Sequence, residues 1–345
     1  MIRGMKVPVT LTDVARLAKV SVSTASLALN NKSRVGKDTR ERVLEAARKL
    51  NYYPNAMARG LITQKSGTIG LVVTDVANPY FGSMTHFIEQ AVRERGYNLI
   101  LGVSNDDMEL EKRIVRQFIG QRVDGILLVP VHKENVDIGH VFELQRLGVP
   151  FVFTSCYYPG VNASWVMCDL EKGSYMLTRY LLDTGHRRIM FLSGALGAVS
   201  FDLRRRGFRT ALREAGLSLD ERLIGICRSP SFDGGYERTK QQLNDGLHPD
   251  AITAINDVMA LGSLKAVLEK GFKVPSDISI AGYDDVIFSS ISEVPLTTVR
   301  QPIREIGEKS VEILTDMIAG RQGEVMHVSL EPELVIRQST RCVQR

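Results

Sequence analysis

Cysteine and tryptophan are scarce, with four of the first and one of the second in 345 residues. Cys156, Cys168, Cys227 and Cys342 lie far apart, with no Cys-x-x-Cys pair and no histidine at metal-ligand spacing. That spacing excludes a disulfide-built domain, so the thiols are expected to be reduced and no metal is expected. No run of about 18 apolar residues is present, which excludes a membrane-spanning helix. Residues 1–6 carry charge but no apolar stretch follows them, so no secretory signal is read and a cytoplasmic location is expected, with no membrane partner. Catalytic signatures are missing as well. There is no Gly-x-Ser-x-Gly, no P-loop, no Gly-x-Gly-x-x-Gly after a strand and no His-Glu-x-x-His. His186, within Gly185-His186-Arg187-Arg188-Ile189, reads as a loop-packing residue. Asp284-Asp285 are neighbours at a strand exit, where side chains diverge, so they make a poor acid–base pair. The chain is therefore not expected to be an enzyme, and no cofactor is expected.

What is present is an uneven charge. The formal net charge is +5, yet residues 1–66 hold 13 Lys/Arg against 4 Asp/Glu. The rest of the chain is mildly acidic. A small basic head on an acidic body points to a polyanion-binding module joined to something larger. With 44% hydrophobic and 24% charged residues, the length suits two to three ordinary globular domains.

Within the head, Thr10-Leu11-Thr12-Asp13 forms a capping box, a hydroxyl at the N-cap and a carboxylate three residues on. Leu11, Val14, Ala15 and Ala18 follow at helical spacing. Ser21 is a second N-cap after a short break at Lys19-Val20, and Ala25, Ala28 and Leu29 share one face of the next helix. A third helix begins near Lys37-Asp38-Thr39 and carries Val43, Leu44, Ala47 and Leu50 as its apolar stripe. Three short helices with small residues at the first crossing predict a helix-turn-helix. On the far side of the second helix lie Ser23 and Leu27, flanked by Val22 and Ser26. Small hydroxyls with Val and Leu make a slim surface that fits a major groove and its thymine methyls.

The run Thr10-Leu11-Thr12-Asp13-Val14-Ala15-Arg16-Leu17-Ala18-Lys19-Val20-Ser21-Val22-Ser23-Thr24-Ala25-Ser26-Leu27-Ala28-Leu29-Asn30 is followed by Leu50-Asn51-Tyr52-Tyr53-Pro54-Asn55-Ala56-Met57-Ala58-Arg59-Gly60-Leu61. On these residues the chain resembles the lactose–galactose repressor (LacI/GalR-type) family of bacterial transcription regulators. The resemblance implies a helix-turn-helix DNA-binding domain over 8–54, a hinge helix and linker over 55–66, and an effector-binding and dimerisation body over 67–345. It implies operator contacts at Thr10, Leu11, Ser21, Val22, Ser23, Thr24, Ser26 and Leu27, at Asn30, Arg34 and Thr39, and at Tyr52 and Asn55. In such a hinge Leu61 would wedge into the minor groove with Ala58 and Arg59 beside it, on a segment too short to be helical alone. Two positions depart from the family pattern. Lys19 stands where a turn glycine is usual. Leu27 stands where Arg or His is frequent, and leucine cannot make a bidentate contact to guanine.

The body alternates strand runs and helical runs. Thr68-Ile69-Gly70-Leu71-Val72-Val73, 98–103, 125–131, 151–153, 189–192, 251–255 and 278–281 read as strands, with helical runs at 81–95, 109–122, 208–215 and 261–269. Such alternation predicts doubly wound parallel α/β sheets, and more units than one sheet carries predict two lobes. The resemblance implies the periplasmic-binding-protein type 1 fold, with one lobe about 67–168 plus 296–325 and the other about 169–295 plus 326–345.

Ligands of open α/β sheets sit beyond the carboxyl ends of the strands. The exits here offer Asn78-Pro79-Tyr80-Phe81, Ser200 and Arg204, Asn256-Asp257, and Tyr283-Asp284. Aromatic faces, one guanidinium and several amide or carboxylate acceptors suit a small polar metabolite: a sugar, a sugar derivative or a nucleobase-like compound. The resemblance places Tyr80, Phe81, Ser155, Ser200, Arg204, Asn256, Asp257 and Asp284 in the effector cleft. Asn256, Asp257 and Asp284 have an alternative reading as helix caps or Asx-turns. Ser155-Cys156 and Pro230 depart from the sugar-responsive pattern, which has a carboxylate and an aromatic ring at those places.

One head reads only a few base pairs, so a homodimer on a palindromic duplex is expected. No leucine heptads follow Leu334-Val335-Ile336-Arg337-Gln338, which favours a dimer over a tetramer. The expected function is a sequence-specific repressor of transcription, switched allosterically by the effector; an inducer would loosen the operator and a corepressor would tighten it. Against the competing classes stand, for a transport receptor, the missing signal peptide and the basic helix-turn-helix head and, for a metabolite-processing enzyme, the missing catalytic constellation.

Overall fold

The computed structural model describes residues 9–29, 35–52, 65–131, 133, 137–195, 197–321 and 323–341. The chain divides into two compact units, 1–66 and 67–345.

In the first unit, α1 (Leu11–Ala18) starts on the expected capping box, with Thr10 accepting from the Asp13 backbone and Asp13 accepting from the Thr10 backbone. Lys19 ends it in the left-handed region, at φ 56° and ψ 49°. Next, α2 (Val22–Leu29) is capped by Ser21, whose Oγ accepts from Thr24 N at 3.1 Å. The last helix, α3 (Lys37–Lys49), begins after Gly36 with no side-chain cap. Val14, Ala15, Ala18, Ala25, Ala28, Val43, Ala46 and Ala47 form the core. Alanine dominates because three short helices must cross closely in a unit too small for large side chains. The apolar stripe of α3 runs 43, 46, 47, 50, so Leu44 falls on its flank and is only half-buried.

The second unit begins with β1 (Thr68–Val73), α4 (Pro79–Glu94), β2 (Asn98–Val103), α5 (Met108–Gly120), β3 (Gly125–Leu128), α6 (Gly139–Leu147), β4 (Phe151–Thr154) and β5 (Trp165–Cys168). It continues through α7 (Leu170–Asp183), β6 (Ile189–Ser193), α8 (Val199–Glu214), β7 (Ile224–Ile226), α9 (Phe232–Asn244), β8 (Ala251–Ala254), α10 (Asp257–Glu269) and β9 (Ser279–Ala281). After these come α11 (Ile287–Ile291), β10 (Thr298–Arg300), α12 (Ile303–Ile318), β11 (His327–Leu330) and β12 (Glu333–Val335).

Two parallel sheets result, as the alternation predicts. One has the order β11-β5-β4-β3-β1-β2 and the other β7-β6-β8-β9. Strands β1, β3, β4, β6 and β8 are nearly continuous buried runs because helices cover both faces, whereas the edge strands β2 and β11 of the larger sheet are partly exposed. Close helix packing on the second sheet depends on Gly207, where any Cβ would run into the Glu171 carbonyl of α7. The chain crosses between the lobes after β5, returns through 282–301, and crosses again beyond β11. A short antiparallel pair, β10 with β12, lies on that return path.

The expected lobe boundary needs one correction. Residues 326–345 do not all belong to the second lobe: β11 pairs in parallel with β5, and Val328 and Leu330 pack on the first lobe's core. Alternation of Val328 and Leu330 toward that core holds the strand there. The second lobe regains the chain later, where Ile280 N donates to Ser339 O at 2.8 Å. His186 is a packing residue, fully buried. Its Nδ1 lies 2.9 Å from Leu181 O and its Nε2 2.9 Å from Ser279 Oγ, and burial holds it below the usual histidine range.

A left-handed Lys19 costs about 1 kcal/mol relative to glycine. Lys19→Gly should raise the melting temperature of the head by several degrees, since about 1 kcal/mol moves a domain of this size by roughly 4–8 °C. An unchanged calorimetric transition would show that the lysine charge at the helix C-terminus offsets the backbone strain.

Candidate functional site

Two sets of residues stand out, one on each unit. In the head, the outer face of α2 presents Val22, 44% exposed, and Leu27, 37% exposed. Ser23 is exposed beside them and Ser26 half-buried. The hydroxyls of Ser21, Ser23 and Thr24 satisfy one another, with Ser21 Oγ 2.9 Å from Ser23 Oγ and 2.8 Å from Thr24 Oγ1. This face bears no charge, so it suits contact with base edges and methyl groups. Thr10 and Thr39 sit at the starts of α1 and α3, positions that favour phosphate oxygens, although the Thr10 hydroxyl and N–H both bond to Asp13. Leu11 and Tyr52 are half-buried and pack against the head's core, which leaves only part of each for DNA. The expected contacts Asn30 and Arg34, and the expected hinge residues Asn55, Ala58, Arg59 and Leu61, lie outside the described residues.

In the body, Tyr80, Phe81, Ser155, Ser200, Arg204, Asn256 and Asp284 come together around one cavity between the sheets' strand exits. Asn78 and Pro79 start α4 as N-cap and first helical residue, which turns Tyr80 and Phe81 inward. The polar groups form a continuous chain. Tyr80 Oη donates to Gln301 Oε1 at 3.2 Å, which leaves Ser155 Oγ, 2.7 Å away, to donate to Tyr80. Gln301 Nε2 donates to Asp284 Oδ1 at 2.7 Å. Arg204 Nη2 reaches the same oxygen at 3.5 Å and its guanidinium lies 4.3 Å from the Tyr283 ring centre. Thus side chains of the first lobe, the return segment and the second lobe are joined in one buried network.

Burial governs the electrostatics. It pushes the Asp284 carboxyl up to about 8, against the pull of Arg204 and Gln301, and it raises the Tyr80 phenol well above its usual range. Ser200 Oγ and Arg204 Nε are buried without a hydrogen-bond partner, so the cavity offers an unsatisfied donor to an incoming polar group. The volume is only about 50 Å³. A wider chamber of about 470 Å³ adjoins it, sharing Asn78, Phe81 and Pro230, and is rimmed by Asp75, Asn105, Asp106 and Arg228. The second figure lies within the usual range for ligand pockets, roughly 300–1,000 Å³.

Asn256 lines the cavity, but its amide is committed: it accepts from Met259 N as the cap of α10 and donates to Pro230 O. Asp257 does not line it. Its carboxylate turns away to Val286 N and Thr298 Oγ1, and burial pushes it up to about 7. The sequence reading missed Gln301, Leu170, Phe201 and Ile255 as lining residues. Gln301 has no local signal, because it follows a three-residue strand. Phe201 carries one in retrospect, one turn from Arg204 on the same helix face.

Among the described residues no cluster of three or more His, Cys, Asp or Glu is placed to hold a metal, and no helix is long and apolar enough to cross a membrane.

The two raised carboxyls make a pH prediction. Both hold their proton in the folded state at pH values where the unfolded chain has lost it, so the folded state binds more protons between about pH 4 and 8. Their contribution to stability is therefore complete below about pH 4 and declines as pH rises through that window. Asp284→Asn should gain stability relative to the parent, more at about pH 8 than at about pH 5, read from urea midpoints. An equal difference at both pH values would mean that Arg204 keeps Asp284 ionised throughout.

Comparison with known proteins bears on both units. Residues 10–55 match the model described as bacterial regulatory proteins, lacI family, and residues 178–340 match a periplasmic binding protein-like domain. The HTH-type transcriptional repressor PurR of Histophilus somni is 34% identical over 96% of this chain and 99% of its own. Catabolite control protein A of Priestia megaterium is 32% identical over 96% of this chain and 99% of its own. Among solved structures, the lac repressor dimer bound to operator and the anti-inducer ONPF superposes with a TM-score of 0.86 at 30% identity, covering 97% of this chain and 99% of that one. The cellobiose complex of the transcriptional regulator CelR gives 0.72 at 32% identity, covering 96% and 99%. These relatives are regulators of transcription rather than enzymes, and with a helix-turn-helix head on a two-lobed body of the same order this chain belongs to the lacI family of bacterial regulatory proteins.

Proposed function

We propose that this regulator is a cytoplasmic repressor that binds a two-fold symmetric operator as a homodimer and takes a small polar effector between its lobes. The observation that carries the effector reading is the buried network from Ser155 through Tyr80, Gln301 and Asp284 to Arg204. It spans both lobes and ends on the unsatisfied Arg204 Nε. A ligand that bonds to Arg204 or Asp284 competes with these internal bonds and so favours one lobe arrangement over another. That difference in affinity is what an allosteric switch requires. A sugar, a sugar derivative or a nucleobase-like compound fits the donors and acceptors present.

The homodimer reading rests on apolar surface. In the first lobe, β2 is an edge strand with Ile100 and Leu101 exposed. In the second, α11 exposes Ile287, Phe288 and Ile291, the last at 66%, beside a groove of about 550 Å³ lined by Phe232, Leu261, Leu264 and Leu268. Contiguous exposed apolar patches of this kind mark protein interfaces. A second copy seated on both patches would make the spacing of the two heads depend on the lobe arrangement. Segments 55–66 would then transmit that spacing to the heads, with Leu61, Ala58 and Arg59 in the minor groove when the operator is held.

For DNA reading, Val22, Ser23, Ser26 and Leu27 would face base edges, while Thr10, Thr39 and the remaining candidate residues would bind the backbone. Selection of random duplexes by the ligand-free protein tests this. The expected winner is a palindrome, bound with a steep salt dependence, and lacking an invariant guanine opposite Leu27. Leu27→Arg should create a preference for guanine there of about 1–3 kcal/mol. A selected site with an invariant guanine at that position, little weakened by Leu27→Ala, would overturn the assignment of the reading face.

A further inference from the structure

Asp257 is fully buried and does not line the cavity, yet it bonds to the segment that carries Asp284 and to the strand that leads to Gln301. Its residue opens α10 directly after Asn256, which lines the cavity. Its backbone N–H donates to Tyr283 O at 2.7 Å. One carboxylate oxygen accepts from Val286 N at 2.9 Å, and the other from Thr298 Oγ1 at 2.6 Å. Gly282 approaches so closely that a Cβ there would collide with the same carboxylate. One residue therefore grips both ends of the segment 282–286 and the strand that leads to Gln301.

That segment is held in an unusual shape. Asp284 and Asp285 are both left-handed, at φ 113° and φ 55°, and Asp285 is fixed from outside by Arg300 at 2.7 Å and Arg337 at 2.6 Å. Backbone of this kind persists only where its surroundings over-determine it. A shift of Asp284 is then not absorbed within the loop. It passes to Val286, and Val286 is the N-cap of the exposed apolar helix α11.

We propose that Asp257 is a positioning residue that couples the cavity at Asp284 to the apolar face of α11. For its regulatory meaning this rests on the cavity being the effector site, but the coupling itself is testable without any ligand. Cys168, buried beside Tyr283, Asp284 and Arg204, reports on the cavity end. Cys227, buried in the second lobe's core just after β7 and beside Arg228 of the wider chamber, reports on loosening outside the segment 282–286.

The test is the rate at which a maleimide labels each thiol of the full chain, resolved by mass spectrometry. In the parent, Ile291→Ser on the surface of α11 should change Cys168 labelling by about fivefold or more, the lower end of the range for coupled sites, and leave Cys227 unchanged. In an Asp257→Asn background the same surface change should leave Cys168 nearly unaffected. Thr298→Ser, which keeps the hydroxyl, should behave as the parent, and Thr298→Val should weaken the coupling. The Thr298 pair gives the answer even where Asp257→Asn folds poorly. Equal effects of Ile291→Ser with and without Asp257, or parallel changes at Cys168 and Cys227, would overturn the proposal. If a low-molecular-weight cell extract leaves Cys168 labelling unchanged while Ile291→Ser alters it, the coupling stands and the effector reading fails.

Discussion

A carboxylate shared between a glutamine and an arginine lies at the centre of this regulator. Asp284 is buried, Gln301 reaches it from the return segment, and Arg204 reaches it from the second lobe. Neither partner neutralises it completely: the guanidinium stands 3.5 Å away and burial keeps the carboxyl raised. An ionised carboxylate so incompletely paired would be costly, so the group keeps its proton up to about pH 8 and is buried at the lesser cost of a neutral polar group. The cost is tolerable because other elements hold the site in place. The chain passes between the lobes near this carboxylate, and Tyr80 and Ser155 extend the network into the first lobe. A site of this kind gains most when a polar ligand supplies the missing bonds, which is how a small metabolite can choose between lobe arrangements.

The head obeys a different constraint. Its core is made almost wholly of alanine and valine, so its helices cross closely, and the outer face of α2 is left exposed. That face is neutral and partly apolar. On the proposed reading, affinity for a polyanion comes from surrounding basic groups and helix starts, and sequence preference from Val22, Ser23, Ser26 and Leu27. Affinity and specificity would then sit on different residues and change independently.

Much of this was legible in the sequence, and for local reasons. The Thr10–Asp13 capping box, the Ser21 cap and the left-handed Lys19 turn are short-range features, and the structure shows each of them. Parallel sheets followed from apolar strand runs alternating with helices. The cavity residues at strand exits were legible because that topology places ligands there. What failed was non-local. Strand β11 is four residues long with only Val328 and Leu330 apolar, and nothing in its own sequence says which sheet it joins. Gln301 enters the cavity only because the return segment brings it there from far along the chain. Asp257 was read together with Asn256, yet the cap geometry of α10 sends the two neighbouring side chains in opposite directions. Arg204 and Arg205 sit in a basic run that resembles a solvated helix face, but both are buried.

The central claim is that occupancy of the cavity is felt at the operator. The most direct test is the affinity for a selected operator at fixed salt, with and without a low-molecular-weight cell extract, for the parent and for Arg204→Ala. The account predicts a change of about 5- to 150-fold in the parent, the range typical of linked sites, and little or none in the variant. No change in the parent, or an equal change in Arg204→Ala, would contradict it.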